Sequence, residues 1–391
     1  MSTLKVDGIR SNSASSDAIT LAGDGTCTAN ITNNLSNRNL IINGAMQVAQ
    51  RGTSSTSAGY ETVDRFTTSM AGTDEACTFA QVDVTADTDP WNLGFRKAFK
   101  VTNGNQTSGA GASDDLSVRH NIEAQNISNS GWDYTSSSSF ITLSFWVKSS
   151  VAQTFYTGFR IYGSDQREYC FSYALSADTW TKVTKSIPGA DGNSILNSNA
   201  LGAFIQWPLW WGTDFTSSGR AVDTWQVKNN ASNYPDNTST WYTTNDATFE
   251  ITGVQLEVGS VATDFEHRSF GQELALCQRY FQKYSHGTYR GIGGFHGRKS
   301  GSGTVVGVTY GFPPMRAAAT GSVNNAAAYR TFRYTDAGTS TPSAAVVTHE
   351  GSAEPYTVLK WTITTSDYST GQFVGMFTTT NSGELELDAE L

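Results

Sequence analysis

From Arg38 to Val258 the chain repeats one design: a run of strand length with apolar residues at alternate positions, then a break rich in Gly, Ser, Asn or Asp. Successive runs include GYETVDRFTTSM, RKAFKVTN, LSVRHNIEA, FITLSFWVKSS, TFYTGFRIYGS, REYCFSYAL, TWTKVTKSI, GAFIQWPLWW and DATFEITGVQLEVG. In FITLSFWVKSS, Ile141, Leu143, Phe145 and Val147 share one face, and Phe140, Thr142, Ser144 and Trp146 share the other, as a core strand requires. So many short alternating runs cannot each bury a face alone. They predict a large two-sheet sandwich or jelly roll.

Near its end the pattern changes phase and then period. Phe249 and Ile251 are apolar, and after Thr252-Gly253 the apolar set moves to Val254, Leu256 and Val258. A phase flip at a glycine predicts a β-bulge. Beyond it, Phe270, Leu274, Cys277, Phe281 and Tyr284 fall at spacings of four, three, four and three, one stripe of a helix. Ser269 and Gln272 are placed to form a capping box. The stripe suits packing on the same chain's sandwich or a short bundle of symmetry-related helices, and a linking helix near a threefold axis combines the two.

These changes divide the 391 residues into four parts. Residues 1–37 carry short alternating runs and read as an amino-terminal β attachment or oligomerisation segment, too small to bury a core without a partner from outside it. Residues 38–267 form the jelly-roll sandwich, 268–284 the linking helix, and 285–391 a small carboxy-terminal β domain. The fold class is mainly β.

Composition narrows function mostly by exclusion. A net charge of −9 and the lack of a Lys/Arg cluster argue against nucleic acid. No signal-peptide core opens the chain and no apolar run reaches spanning length, so synthesis and assembly in a cytoplasm without membrane insertion are expected. Cys27, Cys77, Cys170 and Cys277 form no CxxC pair and read as buried thiols. No pair of the five histidines has HxH or HxxxH spacing, and no metal site or cofactor is expected. Asp87–Asp89 and Ala190–Asn193 offer oxygens for a calcium ion but lack EF-hand spacing, and turns account for them better.

Catalytic signatures are equally sparse. No GxSxG, P-loop or Rossmann fingerprint occurs, so no catalytic residue is assigned and no enzyme is expected. Glu257, Asp264, Glu266 and Arg268 cluster at the strand-to-helix connection, where Arg268 pairing with a carboxylate would fix the turn. Asp64-Arg65 likewise reads as an ion pair. Candidate ligand contacts are the indoles of Trp207, Trp210 and Trp211, which suit either core packing or, for one facing outward, a sugar face. A second set is Arg290, Phe295, His296 and Arg298, together with Lys299, displayed on a Gly-rich loop between Gly287 and Gly303.

The bracketing segments carry a resemblance. NLIINGAMQVAQRGT with VDRF opens the sandwich, and VQLEVGSVATDFEHR with ELALCQRYFQK closes it. The pattern resembles tailed-bacteriophage tail fibres and related virion appendages. The matching residues are Asn39, Asn43, Gly44, Arg51, Gly52, Val63, Asp64, Arg65 and Phe66 at the start. At the close they are Gln255, Leu256, Glu257, Gly259, Ala262, Thr263, Phe265, Glu266, Arg268, Glu273, Leu274, Cys277, Arg279 and Tyr280. STLKVDGI and ELDAEL resemble the termini of such chains, whereas the large, Gly-rich final domain departs from the pattern. The resemblance implies a carbohydrate-binding-like jelly roll in a homotrimeric virion protein. It would be joined to other tail or capsid proteins through its amino-terminal segment, and would attach to host-surface glycans by multivalent binding. A purely structural virion component and a polysaccharide depolymerase are the alternatives.

Overall fold

The computed structural model describes residues 6–13, 19–21, 23, 37–190, 194–284, 313–317, 319–322 and 384–391 in full. It places the backbone of further strands at 27–29 and between 285 and 383. The chain is mainly β, with three short helices among the described residues.

Strands β1 (Gly8–Ile9), β2 (Ile19–Leu21) and β3 (Cys27–Ala29) form a three-stranded antiparallel sheet. The described strands of this segment pair with one another. Val6, Ile9 and Leu21 remain exposed.

Twelve strands build the sandwich. They are β4 (Ser54–Ser55), β5 (Phe66–Ala71), β6 (Thr78–Asp83), β7 (Lys97–Thr102), β8 (Asp115–Glu123), β9 (Phe140–Ser149), β10 (Gln153–Tyr162), β11 (Gln166–Leu175), β12 (Thr181–Pro188), β13 (Leu201–Trp211), β14 (Trp225–Val227) and β15 (Thr248–Val258). One six-stranded sheet has the order β14-β11-β10-β13-β8-β5, the other β12-β9-β15-β7-β6-β4. Their inner faces meet in a continuous apolar core. Trp207 of β13 packs edge-on to Phe145 of β9 with ring centres 5.7 Å apart, and Phe155 of β10 lies 5.4 Å from Phe249 of β15. Ile141, Leu143, Phe145 and Val147 are fully buried there, as their alternation dictates. Helices α1 (Asp89–Asn92) and α2 (Ala124–Ser128) are short excursions between strands.

The phase flip at Gly253 is a bulge. Thr252 opposes Trp146 and Gln255 opposes Ser144, so three steps on β15 match two on β9. Gly253 has φ +62°, a left-handed conformation that glycine adopts without penalty. The bulge turns the backbone of Val254 toward Gly44, whose carbonyl accepts from Val254 N–H at 2.9 Å. A side chain at Gly44 would overlap the Val254 carbonyl oxygen.

Helix α3 runs over Phe270–Gln278, with the Ser269–Gln272 capping box formed. The expected span of 268–284 is too long, and the five-residue stripe does not exist as one face. Phe270 is 55% exposed, whereas Leu274 and Cys277 pack on Ile42 and Val48 of the same chain. Phe281 and Tyr284 belong to strand β16 (Phe281–His286), which pairs with β25 (Gly383–Asp388). Backbone pairing to a distant segment overrides the local helical period there.

Between them lie β17 (Gly291–Ser300), β18 (Thr304–Val308), β19 (Thr320–Asn324), β20 (Tyr329–Arg333), β21 (Thr339–Ser340), β22 (Val346–His349), β23 (Leu359–Thr362) and β24 (Phe373–Thr378). They form a three-stranded sheet β16-β25-β19 and a seven-stranded sheet β21-β20-β24-β17-β18-β23-β22. The Gly-rich stretch expected as a loop therefore contains strand β17, paired with β18 and β24.

Candidate functional site

The motif residues at the two ends of the sandwich form one buried polar joint. Asn39 Oδ1 accepts from the N–H groups of Ile41 and Leu256, both at 3.0 Å, and its Nδ2 donates to the Val254 carbonyl at 3.1 Å. Asn43 bonds Val48 in both directions and also donates to the Asp64 carbonyl, with its backbone N–H on Glu273. Arg268 lies 3.4 Å from Glu266 and 3.6 Å from Glu273, so it fixes the entry to α3 as its sequence position suggested. Glu257 is fully buried and accepts from the N–H and hydroxyl of Thr263 at 2.8 and 2.6 Å.

The joint continues to the other end of α3. Glu123 at the end of β8 receives Arg279 through Nε at 2.8 Å and Nη2 at 2.9 Å, and also the Tyr280 hydroxyl. Burial alone would raise the Glu123 pKa, but these hydrogen bonds outweigh it and hold the carboxyl below its ordinary range. Asp64 and Arg65 do not pair with each other as the sequence suggested. Asp64 accepts from Gln50, while Arg65 turns to Glu390 and lies 3.4 Å from the centre of the Tyr280 ring. The left-handed backbone of Arg65, φ 71°, aims these neighbours apart.

The charged groups of the joint are paired with one another, although the Arg65 Nε is buried without a partner, and this pairing leaves little free charge for a ligand. A hollow of about 670 Å³ opens beside the joint, but its Arg268 and Asn39 are already engaged in it.

A different arrangement occupies the outer face of the sheet containing β13. Period two places Ala203, Ile205 and Trp207 inward and Phe204 and Gln206 outward. The same rule sends Asp115, Ser117 and Arg119 of β8, Thr67 and Ser69 of β5, and Arg160 of β10 to the outer face. Together with Trp211 and Phe215 they line a cleft of about 580 Å³. Phe204 forms the floor, with the Arg119 guanidinium 5.1 Å from its ring centre and that of Arg160 at 4.9 Å.

The cleft's far wall is built by the loop after β13. Tyr234, fully buried, reaches Gln206 Oε1 at 3.2 Å and stands edge-on to Trp211 with ring centres 5.0 Å apart. Gly158 permits this, because a Cβ there would overlap the Tyr234 hydroxyl. Arg160 donates to Glu168 at 3.1 Å and to Asn233 at 2.8 Å, and Gln206 donates to Ser117 at 2.8 Å. Burial pushes the Asp115 carboxyl above its ordinary range, although the Ser69 hydroxyl donates to it.

The three indoles of WPLWW thus have different fates. Trp207 is fully buried in the core, and Trp210 is buried against Tyr242 with ring centres 5.6 Å apart. The shift of register between Pro208 and Trp210 turns Trp211 outward into the cleft. Arg290 lies outside the described residues, and Phe295, His296 and Arg298 lie in β17, where the side chains also lie outside the description. The cleft's arginines and Phe204 were not singled out from sequence. Their only signal was an arginine in phase with the outward positions of an alternating run, in LSVRHNIEA and TFYTGFRIYGS.

Among the described residues no group of three or more His, Cys, Asp or Glu is placed to hold a metal ion. Asp87 and Asp89 lie at the entry to α1, and residues 191–193 of the second acidic run lie outside the described residues. Cys77, Cys170 and Cys277 are buried free thiols. No helix of the described residues is long and apolar enough to cross a membrane.

No protein-family model and no curated protein matches the chain. Among solved structures it is similar to the enzymatically active domain of tailspike protein 4 of bacteriophage CBA120, at 13% identity and a TM-score of 0.31. That match covers 56% of this chain and 21% of the other, so the chain spans about a fifth of the tailspike's length. It is also similar to the family 11 carbohydrate-binding module of a Clostridium thermocellum cellulosomal cellulase, at 12% identity and a TM-score of 0.26, over 55% of this chain and 98% of that one. A third match is the amino-terminal cellulose-binding domain of a Cellulomonas fimi β-1,4-glucanase, at 13% identity and a TM-score of 0.26, covering 55% and 99%.

Proposed function

We propose that the protein is a non-enzymatic, glycan-binding appendage of a virus particle that acts in host-surface attachment. The observation that carries this reading is the outer-face cleft. It combines partly exposed aromatic walls, Trp211 and Phe215, with Ser, Thr, Gln and Arg groups on a rigid sheet. Sugars present both an apolar ring face and many hydroxyls, and this mixture suits them. The lining holds one carboxylate, Asp115. Glycosidic hydrolysis by the usual route needs two, at a defined separation, so binding without cleavage is the better reading.

The virion context rests on the resemblance of the bracketing motifs to phage tail fibres. In that setting a homotrimer would present several clefts at once and multiply weak contacts, with the amino-terminal β segment joining other tail or capsid proteins. A glycan array probed with the purified chain tests the binding, and competition with particle adsorption to host cells tests the role. Binding to no glycan and failure to compete would leave a purely structural component. Release of oligosaccharides from host polysaccharide would instead establish a depolymerase. Sedimentation of a monomer would remove the trimer.

A further inference from the structure

We infer that the ligand of the outer-face cleft is an acidic sugar whose carboxylate is received by Arg119; this rests on the sugar-binding reading above. Arg119 differs from the other arginines of the sandwich and joint. Arg160 is held by Glu168 and Asn233, Arg279 by Glu123, Arg268 by Glu266 and Glu273, and Arg65 by Glu390. Arg119 lines the cleft and, among the described residues, forms no ion pair. Its buried Nε lacks a hydrogen-bond partner, as do those of Arg65 and Arg160, but their guanidiniums are balanced by a carboxylate and that of Arg119 is not. Asp115, four residues away on the same strand, is engaged by the Ser69 hydroxyl.

A half-buried guanidinium with no carboxylate partner in the protein gains more from a ligand carboxylate than a fully solvated surface arginine does, because water screens it less. The Phe204 ring, 5.1 Å from the Arg119 guanidinium, gives that group a stacking platform that limits its reorientation. A planar guanidinium so held suits a carboxylate, which takes two parallel N–H donors, better than it suits a hydroxyl.

The charge distribution supports the same ligand. The chain carries a net charge of −9, yet the cleft lining holds Arg119 and Arg160 against the single Asp115. Behind the lining, Glu168 is shared by Arg160 at 3.1 Å and Arg220 at 3.5 Å, so one carboxylate serves two guanidiniums. In an acidic protein this is a local positive site, and an anionic glycan is steered to it.

The test is an array of acidic polysaccharides printed beside the same polysaccharides after carboxyl reduction, which converts each uronate to a neutral hexose. The intact chain is expected to bind the acidic member of a pair and to lose about ten- to a hundredfold on reduction. Arg119→Gln should bind both members alike, with Arg119→Lys recovering part of the preference. Equal binding of the paired members by the intact chain overturns the inference but leaves the sugar-binding reading standing. So does an acid preference that survives in Arg119→Gln. Binding to no member of any pair overturns both. The paired comparison uses the unaltered chain, so the inference stays testable if Arg119→Gln fails to fold.

Discussion

The joint at α3 and the cleft on the outer face of β13 are made from the same residue types, put to different uses. In the joint, Glu123 binds Arg279 and Tyr280, and Arg268 spans Glu266 and Glu273. In the cleft, Arg119 rests on Phe204 without a carboxylate partner, and Trp211 and Phe215 stay partly exposed. A buried charge is tolerated when its hydrogen bonds close within the protein, and such closure fixes geometry. Where a charge has no counter-ion within the protein, it is available to one on a ligand. The paired carboxylates of the motif therefore belong to architecture, and the arginine that lacks a partner points to recognition.

The sharpest way to break this contrast lies within WPLWW. Trp207→Ala should lose about 3–5 kcal/mol of stability in chemical denaturation, because it leaves a cavity in the core. Next, Glu123→Ala should cost about 3 kcal/mol by removing the acceptor of Arg279 and Tyr280, read as a fall in thermal midpoint. An unchanged midpoint would mean that the joint is not a structural lock.

His120 gives a pH dependence of intermediate size. It is fully enclosed, with Nε2 3.1 Å from the Ile42 carbonyl, and burial pushes its pKa down from 6.5 to about 3. Between those values the unfolded chain binds a proton that the folded chain refuses. Stability should thus fall with falling pH below about 6.5, by up to about 1.4 kcal/mol per unit. Denaturation midpoints from pH 7 to 5 should show this slope, and His120→Gln should flatten it. Glu123, whose carboxyl is held low, adds its own loss only at more acidic pH, below the ordinary glutamate range.

Trp211→Ala should have the smallest effect on folding, about 1 kcal/mol, and yet weaken glycan binding by at least about tenfold in calorimetric titration. Equal destabilisation by Trp207→Ala and Trp211→Ala would erase the distinction between core and cleft. A Trp211→Ala protein with full binding would move the site elsewhere.

Much of the fold was legible because its signals are local. Alternation identified the β9 face of Ile141, Leu143, Phe145 and Val147, the glycine at the phase flip identified the bulge, and Ser269 with Gln272 identified the start of α3. The end of α3 was not legible. Phe281 and Tyr284 continue a helical spacing, but pairing of β16 with β25, about a hundred residues away, draws them into a sheet. The Gly-rich stretch was misread as a loop for a similar reason, since strand pairing rather than composition decided β17.

The candidate site divides along the same line. The sequence by itself determined that the chain would be mainly β, that its alternating runs would close two sheets around an aromatic core, and that Arg268 would brace a turn. Each follows from spacings within a dozen residues. Which tryptophan of the run faces out was decided by a register shift between β13 and β8. That Arg119, Arg160 and Phe204 share one cleft was decided by the order β10-β13-β8, which sets neighbours that are far apart in the chain side by side. Local periodicity assigns a residue to a face, and only the packing of strands assigns that face its neighbours.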